Sequence, residues 1–221
     1  MTSDIKDLYV NLPIQGVQQV TKRWLQKPSK THEMNGQIIG LLKTIMEQNY
    51  FQYKNQYFKP EKGVSMGSPI LGKTAEIYLQ KIEEENIKQW LDSKEIRYYR
   101  QYGEDIIIIY NQTLINEEQI LRGLNKINKH LQFNATVEEN KKIHFLDLTI
   151  HREDNNLSIS IYRKLTDTDT TIHYLSNHPH EQKMAAFRFH INRLMTLPIP
   201  QKDKEAEWTT ILGIAKIHWF S

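Results

Sequence analysis

The spacing of apolar residues along this chain changes period repeatedly, and each change marks an element. Residues 98–110 give the sharpest signal. Tyr98, Tyr99 and Tyr102 form one arm, in a residue type that favours a pleated strand. Ile106, Ile107, Ile108 and Ile109 form the other arm. This run is too apolar for a strand with one wet face, so it is expected to be buried on both faces at the centre of a domain. Gly103 and Glu104 lie between the arms. Glycine at the first central position of a two-residue loop is the type II′ signature, because that position needs φ > 0. The pattern predicts a rigid hairpin with Glu104 and Asp105 at its tip. Adjacent carboxylates repel, so a shared cation is the simplest companion. An ordinary solvated acidic turn is the other reading that the pattern allows.

Helical spacing recurs on either side. A helix is predicted from Pro13 to about Lys27, with Ile14, Val17, Val20, Trp24 and Leu25 as its stripe. A second runs from about Thr31 to Asn49, carrying Met34, Ile38, Leu41, Leu42 and Ile45. Residues 50–58 predict an aromatic hairpin turning near Asn55. Ser68 reads as an N-cap and Pro69 as a first helical residue. They open a long helix with Leu71, Ala75, Tyr78 and Ile82 on one face and Glu83, Glu84 and Glu85 mostly solvated. Another helix spans 116–132, capped by Asn116 with Glu117 and Glu118 in its first turn. Strands are predicted at 4–10, 133–138, 143–151 and 157–163. The last alternates Leu157, Ile159 and Ile161, after a turn at 154–156. The tail predicts two helices, 179–196 and 202–220, as a separate small unit.

Composition narrows the classes. The chain has 221 residues, 25% charged and 39% hydrophobic, which is a globular balance for one domain or two unequal ones. Its net charge is +3 and its pI about 8.8, which mildly suits an anionic partner. Cysteine is absent, so disulfides, thiolate zinc sites and a cysteine nucleophile are excluded. The histidines are too scattered for a metal site. No apolar run reaches membrane-spanning length and no signal peptide opens the chain, so a soluble intracellular protein is expected, the nucleus being a compartment that fits. The glycine-containing loop at 63–69 enters a helix N-terminus, where backbone N–H groups face anions. It lacks the GxxxxGK[ST] pattern of a Walker loop.

Taken in order, these pieces resemble the reverse transcriptases of Penelope-like retroelements, relatives of telomerase. Residues 4–13 are similar to the family's D-x-x-x-L-Y-x-N-I-P motif, with Asp4, Leu8, Tyr9, Asn11 and Pro13 in place. Residues 63–69 are similar to G-x-x-M-G-S-P, with Gly63, Met66, Gly67, Ser68 and Pro69. Tyr102 to Asp105 occupies the place of Y-x-D-D. Phe145, Leu146 and Asp147, with Ile150 and Arg152, resemble the F-L-D-x-x-I-x-R hairpin that supports the primer end. Residues 162–164 and 176–179 continue the likeness, which spans essentially the whole chain.

The resemblance implies an α+β reverse-transcriptase palm, an antiparallel sheet with packed helices, followed by a small all-helical tail that is thumb-like or helix-turn-helix-like. It divides the chain into a palm (1–140), a primer-grip-like hairpin region (141–175) and the tail (176–221). It implies RNA-directed DNA polymerase activity with an RNA/DNA template-primer and deoxynucleoside triphosphates as partners. Asp4, Glu104 and Asp105 would hold two Mg²⁺ ions. Tyr9, Gly63, Met66, Gly67 and Ser68 would line the nucleotide, and Phe145, Leu146 and Asp147 would form the primer grip. Arg163, Lys164, Lys183, Arg188 and Arg193 would contact the nucleic-acid backbone. Two departures set further expectations. Glu104 stands where the family has Asp, and the family's fingers are missing, so the chain is expected to be a retroelement fragment with impaired activity. The alternative is a non-catalytic nucleic-acid-binding remnant with a helix-turn-helix-like tail.

Overall fold

The structure, a computed structural model, describes residues 1–25, 32–64, 70–154 and 156–220. The chain divides into two compact units, Met1–Val137 and Glu138–Ser221. The first unit runs β1 (Thr2–Ile5), α1 (Leu8–Asn11), α2 (Ile14–Leu25), α3 (His32–Glu47), β2 (Phe51–Tyr53), β3 (Gln56–Phe58), α4 (Leu71–Asp92), β4 (Ile96–Tyr102), β5 (Asp105–Tyr110), α5 (Glu117–Ile127) and β6 (Phe133–Thr136). Its main sheet is antiparallel in the order β4-β5-β1-β6. Helices cover one face of it. Ile5, Ile106, Ile108 and Phe133 point to that face and join a core with Leu8, Val17, Leu71, Leu79, Ile120 and Leu124.

The isoleucine run does not meet the expectation of burial on both faces. Ile106 and Ile108 are fully buried, Ile107 is half-buried, and Ile109 is 45% exposed. In this antiparallel sheet the helices are gathered on one face, so alternate residues of a central strand remain on the open one. The strand expected at 4–10 is also shorter. Asp7 adopts φ 48°, ψ 42°, a left-handed conformation that Asp tolerates better than most residues, and the chain then enters the four-residue α1. Tyr9 therefore sits on a helical turn and not on a strand.

Helix α2 buries Val17, Thr21 and Leu25 but leaves Trp24 exposed. α3 buries Leu42 and Met46 and leaves Met34, Leu41 and Ile45 outward. Helix α5 opens with a capping box: Asn116 accepts from Gln119 N–H, and the Gln119 side chain accepts from Asn116 N–H. It ends at Ile127, earlier than expected, and Asn125 bonds both backbone groups of Phe133 where β6 begins.

The second unit holds β7 (Lys142–Phe145), β8 (Leu148–Arg152), β9 (Leu157–Ile161), α6 (His180–Thr196) and α7 (Gln201–Ile217). The expected single strand at 143–151 is two strands folded about Leu146 and Asp147. The sequence divides this stretch at about 175. In the structure, Ile159 and Ile161 of β9 pack against the core of the tail helices, formed by Phe187, Leu194, Ile199, Ile211 and Ile214. The expected turn residue Asn155 and the helix start at Ser68 and Pro69 lie outside the described residues.

Candidate active site

The β4–β5 hairpin closes through Tyr102 paired with Asp105, leaving Gly103 and Glu104 as the loop. Gly103 has φ +57°, whereas Glu104 is not among the residues of positive φ, as a type II′ turn requires. Asp105 then lies directly opposite Asp4 of β1. Ile5 N–H donates to the Glu104 carbonyl over 3.0 Å, and Ile108 N–H to the Met1 carbonyl over 2.9 Å. These bonds bracket Asp4 and Asp105 as a non-hydrogen-bonded pair, the kind whose facing Cα atoms approach to about 4.5 Å.

Like charges facing each other across strands destabilise a sheet. The register extends the row outward to Tyr102 on one side and Asn134 on the other. The Asn134 amide donates to Asp4 Oδ2 over 3.3 Å. Along the open face the next row carries Arg100, whose guanidinium lies 5.6 Å from the Tyr98 ring.

Glu104 sits on the turn and is exposed. Among the described residues, no group of three or more His, Asp or Glu side chains comes together to hold a metal ion. The paired carboxylates still fit one chemistry. Mg²⁺ is commonly bound by one or two carboxylates, with water and substrate phosphates completing its shell. Asp4 and Asp105 place two carboxylates opposite each other on adjacent strands.

On the other side of the hairpin tip a cleft of about 590 Å³ is lined by Tyr9, Lys73, Gln80, Glu83, Gln101 and Tyr102, among others. Glu83, expected to be solvated, is half-buried there. Burial raises its carboxyl above the ordinary value, while a hydrogen bond from Tyr99 and the charge of Arg100 act in the opposite sense. Burial, and then Glu83 itself, push the Tyr99 hydroxyl upward. Gly63 lies close to the back of Tyr9. A Cβ on it would stand 2.3 Å from the Val10 carbonyl oxygen, its φ is +76°, and Val64 N–H donates to the Tyr9 carbonyl over 3.0 Å. Only glycine fits at that position. Met66, Gly67 and Ser68 lie outside the described residues.

The remaining site residues belong to the second unit. Phe145 pairs with Leu148 across the β7–β8 turn, and Leu146 takes φ 53°, which is uncommon for a branched side chain. Tyr162 N–H donates to the Asp147 carbonyl over 2.8 Å, and the Arg193 guanidinium lies 3.6 Å from the Asp147 carboxylate. Leu146, Asp147, Arg163, Lys164, His190 and Arg193 line a second cleft of about 350 Å³. Beside it Glu207, 7% exposed, accepts from Arg163 over 2.7 Å and from Arg193 over 3.2 Å. Burial, and then these two guanidinium groups, lower the basicity of His190. Lys183 donates to the Tyr174 carbonyl, and Arg188 pairs with Glu181.

Sequence reasoning missed Asn134 and Arg100 as neighbours of the acids. The alternation at Phe133-Asn134-Ala135 gives their face, but Asn134 and Asp4 lie 130 residues apart, and the pairing of β6 with β1 leaves no local trace.

No protein-family model and no curated protein matches the chain. Solved structures do. Over 99% of its length the chain superposes on telomerase from Candida albicans, in complex with a TWJ fragment of telomeric RNA, with a TM-score of 0.67 at 11% identity. Telomerase from Candida tropicalis in the corresponding complex gives 0.58 at 12% identity, also over 99%. The apo enzyme of that species, truncated from its C-terminal domain, gives 0.55 at 15% identity over 71% of this chain. The fold is reverse-transcriptase-like. The chain spans 39%, 38% and 34% of these structures' own lengths, respectively. No helix among the described residues is long and apolar enough to cross a membrane.

Proposed function

We propose that this chain is the palm portion of an RNA-directed DNA polymerase of retroelement origin, in which Asp4 and Asp105 hold the divalent cations of nucleotidyl transfer. The observation that carries the reading is the row Tyr102–Asp105–Asp4–Asn134 across the open face of a reverse-transcriptase-like sheet. When bound, Mg²⁺ supplies Lewis acidity toward an attacking primer hydroxyl and a departing pyrophosphate. The chain's residues do the rest. Asp4 and Asp105 present oxygens from two hydrogen-bonded strands, so their separation is set by the backbone. The Asn134 amide orients the Asp4 carboxylate. Tyr9, half-buried beside the hairpin tip, would lie under the nucleotide sugar and crowd a 2′-hydroxyl. Glu104 would join Asp4 and Asp105 as a ligand from the turn, but it is one methylene longer than the Asp of similar enzymes, which displaces its oxygens by about 1 Å and is expected to slow the chemical step.

The test has two parts. Terbium is a hard cation whose luminescence a neighbouring tyrosine excites, and Tyr102 is 71% exposed beside the acids. Tb³⁺ should light up in the intact chain, be displaced by Mg²⁺, and stay dark in Asp4→Asn and Asp105→Asn. Luminescence that is unchanged in both variants would overturn the site. In primer extension, the chain joined to the fingers of an active relative should elongate a primed RNA template. Glu104→Asp should raise kcat roughly 10–100-fold, the size of effect that a displacement of about 1 Å produces. Template binding without any incorporation, in every variant, would favour the non-catalytic nucleic-acid-binding reading.

A further inference from the structure

The β2–β3 hairpin has no core of its own. All six of its strand residues are exposed. An isolated two-stranded ribbon is marginal in water, and one that is wet on both faces ought to be polar. This one is aromatic. Five of the nine residues 50–58 are Tyr or Phe, and none is aliphatic or acidic. Tyr50, Phe51, Tyr53 and Phe58 are exposed, and Tyr57 is 76% exposed.

Lysines are interleaved with the rings. Lys54 Nζ lies 5.4 Å from the Tyr53 centroid, and Lys59 Nζ 5.8 Å from the Tyr50 centroid. The turn is tight, with Lys54 at φ 46° and Asn55 at φ 61°, both central residues left-handed as a type I′ turn demands. Phe51 and Phe58 face each other across the strands, with centroids 5.5 Å apart and planes at 21°, which stiffens the base of the ribbon.

A surface built from aliphatic residues would suit a protein groove. This one offers flat π-faces, amide groups and ammonium groups, with no carboxylate until Glu61. That chemistry suits a chain of unpaired bases on a polyanionic backbone. Any base can stack on a Tyr or Phe ring, while Lys contacts the phosphates.

We propose that the β2–β3 hairpin is a stacking platform for single-stranded nucleic acid. The inference builds on the nucleic-acid reading of the chain but not on the Asp4–Asp105 site. Tyr53 and Phe58 on one face of the ribbon, and Tyr57 on the other, take bases without sequence preference. Lys54 and Lys59 fix the backbone and bring salt dependence.

The experiment measures fluorescence anisotropy of labelled oligo-dU and oligo-dT, and of a blunt duplex, on the full chain. Tyr57→Leu and Tyr53→Leu should each weaken single-strand binding roughly tenfold, while Tyr57→Phe retains it, because stacking needs the ring and not the hydroxyl. Lys54→Gln should lower the slope of log affinity against log salt by about 0.7. None of these side chains is buried, so melting should be unchanged.

Single-strand affinity that is equal in the intact chain and the Leu variants, or absent from both, overturns the platform. Self-association lost in the Leu variants, with oligonucleotide affinity intact, overturns it in favour of an interface between copies. The palm reading fails separately. If Asp4→Asn leaves terbium luminescence unchanged while the hairpin variants lose the oligonucleotide, the platform stands and the metal site falls.

Discussion

Two glycines show how differently the same residue type is used. Gly103 has a positive φ but open space where a side-chain methyl would stand, so its substitution costs backbone strain alone. Gly63 combines positive φ with a Cβ position only 2.3 Å from a backbone oxygen. Gly103→Val should therefore cost about 1 kcal/mol or more, from a β-branched residue at positive φ. Gly63→Ala should cost clearly more than Gly103→Ala in urea denaturation, and the reverse order would show that the Val10 contact yields. Both glycines stand out in the sequence, Gly103 through its turn position and Gly63 through the loop motif. The acids were legible for the same reason, since Asp105 follows a turn signal. Glu83 was not legible. Its neighbours Glu84 and Glu85 are charged residues of the same kind, and only the packing of α4 on β4 shows which of the three faces Tyr99. Its raised carboxyl value has a sign that can be tested. A raised folded value stabilises the protein in full below the ordinary value of about 4.5, and that stability is lost as pH rises through the folded value. Denaturation followed from pH 4 upward should show this loss, and Glu83→Gln should remove it.

At the scale of elements, the α5 cap and the turns at Gly103 and Asn55 were read well and strand environments poorly. The α5 start was written in Asn116 and in the acids of its first turn, and Asn116→Ala should cost about 1 kcal/mol in chemical denaturation. An unchanged midpoint would mean that the Gln119 half of the box suffices. The isoleucine run misled because four consecutive apolar residues look the same whether a sheet is covered on one face or two. What decides is how many helices reach the second face, and that depends on chain connectivity. The short β1 misled for another reason. Asp7 looks like one more strand residue until its left-handed turn is seen, and a single αL residue needs no glycine when Asp can take it.

For the whole molecule, two cores with no shared residue imply two units that respond separately to local damage. In the second unit, Glu207 holds Arg163 and Arg193, whose side chains are 22% and 12% exposed. Glu207→Ala takes away the buried carboxylate that the two guanidinium groups share, leaving Arg163 with Asp169 and Arg193 with Asp147, and should cost about 2 kcal/mol. In calorimetry it should lower one transition, and Gly63→Ala should lower the other. A single transition shifted by either change would show that the units unfold together. This network was invisible in the sequence. Arg163, Arg193 and Glu207 look like ordinary charged residues until α6, α7 and the segment after β9 bring them together.

The open face of the first sheet has one more consequence. Asp4 and Asp105 lie on the side that no described helix of the first unit covers, and Ile107 and Ile109 pave the surface next to them. At a separation of 4 Å, a cation and a carboxylate attract with only about 1 kcal/mol in water, and with several times that once the medium is partly excluded. An uncovered sheet is thus a poor ion trap, and whatever lies across the isoleucines sharpens it. Under the proposed function the idle protein should let cations go and the loaded one should keep them, so that occupancy of the surface, and not the abundance of Mg²⁺, acts as the switch. Terbium titrated with and without a primed duplex reads this directly: the duplex should tighten the ion several-fold, and equal affinities would show that the sheet is never covered there.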